Sequence, residues 1–223
     1  MSADIIVSYD GTANDDDALA LGRALGATGA TLALAYVRHS REFDPRREEL
    51  AQHDAQRRLR TGLGLLGRDD VATHVIFSAS TDGGLEQLAD AEGASVIVFG
   101  SDYRTAPGRA EPGNTAQRLL DGGKVAVAVA AAGYRLNPET PIRSIGVADG
   151  EADGSVTETV DALAAKLGAS AAVNAGQQLD LIVVGSQPNA PDGRIALGGS
   201  ARAALNASRG SVLVLPRGRT AFV

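Results

Sequence analysis

The stretch from Leu181 to Leu205, "LIVVGSQPNAPDGRIALGGSARAAL", is an apolar run followed by a glycine-rich loop and a probable helix start. A similar stretch, "VIVFGSDYRTAPGRAEPGNTAQRLL", occupies residues 96–120. In each copy one glycine ends the apolar run and another follows thirteen residues later. A short apolar run that ends in turn residues and leads into a helix is typical of a buried strand in an α/β sheet. The repetition predicts two related units in one chain.

The residues around the first copy alternate between apolar runs and amphipathic segments. Strands are predicted over residues 4–9, 31–37, 71–79, 95–100 and 124–132, with a helix between each pair. This alternation predicts a doubly wound parallel sheet with helices on both faces. The ligands of such sheets bind at the carboxyl ends of the strands. Asp10-Gly11 and the loop that begins at Gly100 both fall at that edge.

After a polar segment, "GYRLNPETP", the pattern restarts, and Asp149-Gly150 takes the place of Asp10-Gly11. The second copy is shorter, because 90 residues separate Asp10 from Gly100 but only 36 separate Asp149 from Gly185. We therefore expect a complete unit over residues 1–134 and a truncated unit over 141–223, paired through their last strands. The second unit should have about three strands. Residues 170–178 should be a loop or irregular helix, since the roughly seven residues before Leu181 span at most ~25 Å and are too few to recross the sheet.

This order of elements, with Asp10-Gly11-Thr12 after the first strand and a glycine-rich loop after the fourth, resembles the universal stress protein family. The resemblance covers the first half and about two-thirds of the second half. It implies a five-stranded sheet, pairing of the two halves through their fifth strands and, in many members, ATP held by a Gly-x2-Gly-x9-Gly-Ser/Thr loop. The residues that the resemblance places at the nucleotide are Asp10, Gly11, Val37, Gly100, Gly113, Asn114 and Thr115.

Both loops depart from the family pattern at its second glycine, which is Tyr103 in the first half and Pro188 in the second. Glycine lets backbone N–H groups approach a phosphate, whereas tyrosine adds bulk and proline has no N–H to donate. Two functions therefore stay open. One is a stress-response protein that acts as a non-catalytic tandem scaffold for a protein partner, with a degenerate nucleotide loop. The other is an adenine-nucleotide binder that holds ATP in the first-half pocket.

Composition excludes several other classes. The chain has no cysteine, which excludes disulfides, thiolate metal sites and cysteine nucleophiles. A net charge of −6 argues against nucleic-acid and anionic-membrane partners, and no apolar run reaches the ~18 residues of a membrane span. A cytoplasmic location is expected. The sequence has no Walker or Gly-x-Ser-x-Gly pattern, and no Gly-x-Gly-x-x-Gly follows the first strand, so we expect no enzyme and no catalytic residue.

Two smaller expectations concern charged and polar side chains. His39, His53 and His74 are too far apart in sequence to support a metal site, and none is predicted. The basic cluster Arg57, Arg58 and Arg60 is interpreted as a solvated helix face. Asn14 is the expected cap of the first helix, followed by three aspartates that suit the positive end of the helix dipole.

Overall fold

A computed structural model describes residues 2–68, 70–136, 139, 141–148, 153–172 and 179–223. The first half forms the predicted alternation of strands and helices. Its elements are β1 (Ile5–Ser8), α1 (Ala13–Gly26), β2 (Leu32–Arg38), α2 (Pro45–Leu66), β3 (Ala72–Phe77), α3 (Thr81–Glu92), β4 (Val96–Phe99), α4 (Asn114–Leu120) and β5 (Ala126–Val129). The five strands are parallel in the order β3-β2-β1-β4-β5, as the sequence predicts.

The second half repeats this plan with fewer elements. It contains β6 (Ser144–Val147), α5 (Gly154–Leu167), β7 (Ser170–Ala172), β8 (Leu181–Val184), α6 (Gly199–Ala207) and β9 (Ser211–Val214). The whole sheet has nine strands in the order β3-β2-β1-β4-β5-β9-β8-β6-β7. The tandem α/β fold is therefore confirmed. Among the described residues, the second half has no counterpart of β3, α2 or α3.

Among its described residues the second half has four strands, so the expectation of about three strands is wrong at β7. Ala172 pairs with Gly146 on one side of β6, and Leu181 pairs with Ile145 on the other side. Ala172 and Leu181 therefore differ by only one residue in their position along β6. Across the sheet they are two strand spacings apart, about 10 Å. The eight residues between Ala172 and Leu181 are enough to span that distance. The prediction assumed that the chain must run back along the sheet, whereas Ala172 and Leu181 lie at nearly the same level beside β6.

The two halves join through antiparallel pairing of β5 with β9. Val127 lies opposite Val214, and Val129 lies opposite Val212. The N–H groups of Ala126 and Ala130 donate to carbonyl groups on the β4 side, at 3.1 and 2.8 Å. Because successive N–H groups along a strand point to opposite neighbours, those of Val127 and Val129 point to β9. The expectation that the last strands pair is thus correct.

The segment between the halves is held by a buried carboxylate of α1. Asp17 is 1% exposed and accepts hydrogen bonds from the N–H groups of Gly133 and Arg135, at 2.9 and 2.7 Å. The Arg135 guanidinium also donates to it at 2.7 Å. Arg135 lies in a short 3-10 helix, Tyr134–Leu136. A buried charge that lost these donors would be strongly destabilising, so this contact fixes where the first half ends.

Apolar layers cover both faces of the sheet and continue across the join. One layer contains Val7 and Leu21 of the first half together with Leu213 of the second. The other contains Ile97 and Leu120 together with Val212. Both halves therefore share one core. Within the described residues, no helix is both long and apolar enough to cross a membrane.

A fragment of residues 1–136 tests whether the first half needs the second. It keeps the contact between Asp17 and Arg135 but leaves the β5 edge unpaired. We expect the fragment to melt at a lower temperature than the full chain, or to dimerise through β5, because exposed apolar edges seek a partner. Calorimetry and sedimentation would measure both properties. A monomeric fragment with the melting temperature of the full chain would contradict this view of the join.

Candidate functional site

A cleft of about 660 Å³ opens at the carboxyl ends of β1, β2 and β4. This volume is typical of small-molecule sites, which span roughly 300–1,000 Å³. Part of the lining is apolar and comes from Ala35, Val37, Phe99 and Ala116, all of which are buried. Polar residues complete the lining, among them Asp10, Asp15, Asp102, Asn14, Thr81 and Thr115. The cleft thus combines an apolar surface with acceptor-rich walls.

The structure brings six of the seven expected site residues to this cleft: Asp10, Val37, Gly100, Gly113, Asn114 and Thr115. Gly11 is the exception. It lies in the turn between β1 and α1 with φ +91°, a left-handed conformation that favours glycine. Its role is therefore to form the turn. In the second half, the counterpart Asp149-Gly150 lies outside the described residues.

The first wall of the cleft is a hydrogen-bonded turn with two carboxyl groups. Asp10 Oδ1 accepts the N–H of Thr12 at 3.0 Å, and Asp15 Oδ2 accepts the N–H of Asp10 at 2.9 Å. Thr12 caps α1 and forms a capping box with Asp15, so the expectation that Asn14 is the cap is wrong. Asn14 instead lies inside the first turn. Thr12 is the cap because Asp15, three positions after it, accepts a hydrogen bond from the N–H of Thr12 and so completes the capping box.

Two side chains at this wall, Tyr9 and Asp15, have a raised pKa. Burial, hydrogen bonding with Asp10 and the nearby Asp10 charge raise the pKa of the Asp15 carboxyl to about 7. Burial and the charge of Asp16, to which its hydroxyl donates at 3.3 Å, raise the pKa of Tyr9 to about 12. Tyr9 therefore stays protonated at neutral pH, while Asp15 is ionised only in part of the molecules.

Gly100 and Gly113 of the first loop have the same spacing as Gly185 and Gly198 of the second loop. They differ in whether packing requires glycine. A Cβ at Gly100 would lie 2.0 Å from the carbonyl oxygen of Asn14, so only glycine allows β4 to end against α1. A Cβ at Gly113 would meet no atom of the described residues within 4 Å. Gly113 also has an ordinary extended backbone, with φ −70° and ψ 173°. Packing therefore explains Gly100 and leaves Gly113 unexplained.

Most backbone donors of the first loop already bind protein acceptors. The N–H groups of Asp102 and Thr105 donate within the loop, to the carbonyl groups of Glu111 and Asp102 at 2.8 and 3.0 Å. Arg104 N–H donates to the side chain of Asp102 at 3.0 Å, and Gly108 N–H to the carbonyl of Ala132 at 2.8 Å. A phosphate cradle needs such N–H groups free and convergent. These donors instead hold the loop closed on itself.

The serine that follows the first glycine of each loop has the same structural role in both halves. Ser101 Oγ donates to the carbonyl of Ala130 at 2.6 Å, and its oxygen accepts the N–H of Glu111 at 3.1 Å. Ser186 Oγ donates to Leu215 at 2.8 Å and accepts from Ala196 at 3.2 Å. Both side chains are buried. They tie each loop to the end of the last strand of its own half.

The middle of each loop contacts the opposite half, and we call these contacts the clasp. In the first loop, the Arg109 guanidinium donates to the carbonyl of Asn206 in α6, and the carbonyl of Gly108 accepts the N–H of Gly210 at 2.9 Å. In the second loop, Arg194 donates to the carbonyl of Gly122, after α4, at 2.9 Å. The N–H of Ile195 donates to the carbonyl of Gly123 at 2.8 Å. The two arginines are thus at equivalent positions, whereas the backbone bond uses a carbonyl of the first loop and an N–H of the second loop.

Sequence reasoning missed Arg58 as a residue of the site. Its guanidinium donates to the carbonyl of Asp10 at 2.7 Å, lies 5.7 Å from the Tyr36 ring and lines the cleft. Arg58 is exposed, as expected for a solvated helix face, but its contact with the Asp10 carbonyl was not predicted. One signal for this contact was present in the sequence. Arg58 lies next to the buried Leu59 and three positions after the buried Ala55, so the helical spacing of α2 places it beside the buried face.

The residues of the cleft fit only part of an adenine nucleotide. The apolar lining with Val37 and Phe99 suits a flat base, and the Asp10 carboxylate suits ribose hydroxyls. The triphosphate has a poor match, because Arg58 is the one Arg or Lys that lines the cleft among the described residues. Arg109 belongs to the clasp, and Arg104 lies over the Tyr103 ring at 4.9 Å. Among all residues that the structure describes, no group of three or more His, Asp or Glu side chains could hold a metal ion.

The fold is that of a doubly wound α/β protein in two related halves, with a cleft at the carboxyl ends of β1, β2 and β4. Residues 1–131 match the universal stress protein family, and the chain belongs to that family. A universal stress protein from Archaeoglobus fulgidus superposes with a TM-score of 0.59 at 14% identity, over 96% of this chain and 98% of that one. A functionally unknown protein from Pseudomonas aeruginosa superposes at 0.61 with 18% identity, over 96% and 93%. These two similarities concern the fold. No curated protein sequence matches the chain.

The raised pKa of Asp15 predicts a pH-dependent stability difference between the wild type and Asp15→Asn. Because the folded-state pKa is about 7 and the ordinary value is 3.8, protonated Asp15 stabilises the fold below about pH 4. That contribution is lost as pH rises through 7. The melting temperature of Asp15→Asn relative to wild type should therefore rise between pH 4 and pH 7.5, then level off.

Asp90→Asn is the matched control, because Asp90 is exposed on α3 and does not line the cleft. Its melting temperature should follow the wild type across the same pH range. A difference between Asp15→Asn and wild type that stays constant with pH would show that burial does not perturb this carboxyl.

Proposed function

We propose that this universal stress protein is a non-catalytic tandem scaffold for a protein partner, and that its glycine-rich loops join the two halves instead of holding phosphate. The observation that supports this most is the clasp. Both loops place an arginine on the opposite half, and they do so at equivalent positions, Arg109 and Arg194. The proposal accounts for the departures at Tyr103 and Pro188, because a loop that no longer holds phosphate does not need glycine there.

The chemistry of the clasp is favourable for a structural contact. The last carbonyl groups of a helix have no partner within the helix and bear partial negative charge. Asn206 lies in the last turn of α6, and Gly122 lies just after the end of α4. An arginine at each place satisfies a carbonyl group and complements the helix dipole. Each half therefore supplies the cation that the other half's helix end can use.

The hydrogen bonds of the loop hydroxyl groups support a non-catalytic function. Ser101 and Ser186, which follow the loop glycines, donate to backbone carbonyl groups and are buried. A nucleophilic serine needs an adjacent base and access to substrate. Neither serine has a His or Lys among its hydrogen-bond partners in the described residues. We propose that the protein binds without turning over a substrate.

Removing either arginine of the clasp should weaken the fold. We expect Arg109→Ala and Arg194→Ala each to cost about 1 kcal/mol, as for a hydrogen bond from a charged group at a partly exposed site. Differential scanning calorimetry should show a melting temperature lower by about 2–4 °C in each variant. Arg104→Ala is the control, because Arg104 contacts the ring of Tyr103 in its own loop. Equal melting temperatures for all three variants would argue against a structural clasp.

The second candidate function is binding of ATP in the first-half cleft. The observation in its favour is Gly113, which neither its backbone conformation nor its packing requires. Space beside Gly113 would let a phosphate approach the N–H groups of Asn114 and Thr115. Gly198 has the same position in the second half, with φ −71° and ψ 173°, and begins α6 in the same way.

A thermal-shift titration with Mg-ATP separates the two candidates. Under the scaffold proposal Mg-ATP raises the melting temperature little even at millimolar concentration, and no phosphate is released above buffer. Binding would instead stabilise the fold, by about 2.7 kcal/mol at a concentration 100 times Kd. A shift that disappears in Gly113→Val and persists in the matched control Gly198→Val would favour ATP binding in the first half.

A further inference from the structure

The balance of charge in the first-half cleft is negative. Three carboxyl groups line it, those of Asp10, Asp15 and Asp102, against the single guanidinium of Arg58 among the described residues. Arg58 is already engaged, since it donates to the carbonyl of Asp10 at 2.7 Å. The Arg58 guanidinium is therefore bound to the turn between β1 and α1. The glycine-rich loop contributes a carboxylate to the cleft, that of Asp102.

The helix ends at the cleft do little to offset these carboxyl groups. The positive end of α1 is occupied by Asp15, which accepts from the N–H and hydroxyl of Thr12 at 3.2 and 2.9 Å. The other helix, α4, has only seven residues and a correspondingly small dipole. Asp102 lies on the same side as α4, near Gly113. An anion placed between them would face a like charge.

What remains is a site with an apolar lining and many acceptors. Val37 and Phe99 offer a surface for a flat ring, and the carboxylates of Asp10 and Asp102 can accept from hydroxyl or amino groups. Asp15 Oδ2 is already used within the turn, which leaves its second oxygen. Ligand N–H and O–H donors are satisfied by such walls, whereas phosphate oxygens are not.

We infer that the first-half cleft binds an uncharged, nucleoside-like ring compound with hydroxyl or amino donors, and that it selects against polyphosphates. This inference rests on the proposed function, in which the loop has become part of the clasp. The inference goes beyond the proposed function because it assigns a ligand class to the cleft. The raised pKa of Asp15 is consistent with the low polarity and the crowding of carboxyl groups at this wall.

Isothermal titration of the full chain with adenosine and with Mg-ATP tests this assignment. Adenosine should bind about tenfold more tightly than Mg-ATP, a factor within the range of like-charge repulsion near a protein surface. Salt should distinguish the two ligands as well. Raising ionic strength from 0.05 to 0.5 M screens the repulsion, so Mg-ATP affinity should increase while adenosine affinity stays nearly constant.

Asp102→Asn should raise the affinity for Mg-ATP severalfold and should not raise the affinity for adenosine, because the change removes a charge and one of two acceptor oxygens. The control Asp90→Asn, outside the cleft, should change neither. Tighter binding of Mg-ATP than of adenosine, or no binding of adenosine at millimolar concentration, would overturn the inference. The clasp variants Arg109→Ala and Arg194→Ala test the proposed function separately, so failure of one can be told from failure of the other.

Discussion

The structure depends on the antiparallel hydrogen bonds between β5 and β9. Each of these strands is the last of its half and would otherwise leave an apolar edge unpaired, as at Val127 and Val212. Pairing them turns two sheets into one sheet of nine strands and relates the halves by an approximate twofold axis. The loops after β4 and β8, the neighbours of the joined strands, then reach the axis from opposite sides. The symmetric contacts of Arg109 and Arg194 follow from this arrangement.

The two halves share this axis but differ in what they can bind. The first half has β2 and β3 beyond β1, and β2 extends to Arg38, past the cleft residue Val37. In the second half, β7 corresponds only to the beginning of β2, since Ser170 pairs with Ser144 as Leu32 pairs with Ile5. The position that matches Val37 lies outside the described residues. We infer that the second half contributes mainly the paired edge and its side of the clasp.

Local patterns in the sequence predicted much of the fold and the gathering of most site residues. Alternating strands and helices imply parallel pairing, and the carboxyl ends of neighbouring parallel strands meet, which brings Asp10, Val37 and Gly100 together. The errors have physical reasons. The reach of the chain before Leu181 depends on where β7 ends in register, which no local pattern reveals. Arg58 and Arg109 act on partners 48 and 97 residues away, so no short spacing could identify those contacts.

The loop between Gly100 and Gly113 belongs to the cleft and to the join at once. Its beginning and end line the cleft, while Gly108 and Arg109 in its middle contact the opposite half. A phosphate site would need the N–H groups of the loop free and turned inward, whereas the clasp uses the carbonyl of Gly108 and the guanidinium of Arg109, and the Gly108 N–H donates to the carbonyl of Ala132. Because one backbone cannot satisfy both demands, strengthening the join weakens the phosphate site. Bulk at Tyr103, 71% exposed, is then tolerated, and the apolar part of the cleft beside Val37 remains available for a smaller, uncharged ligand.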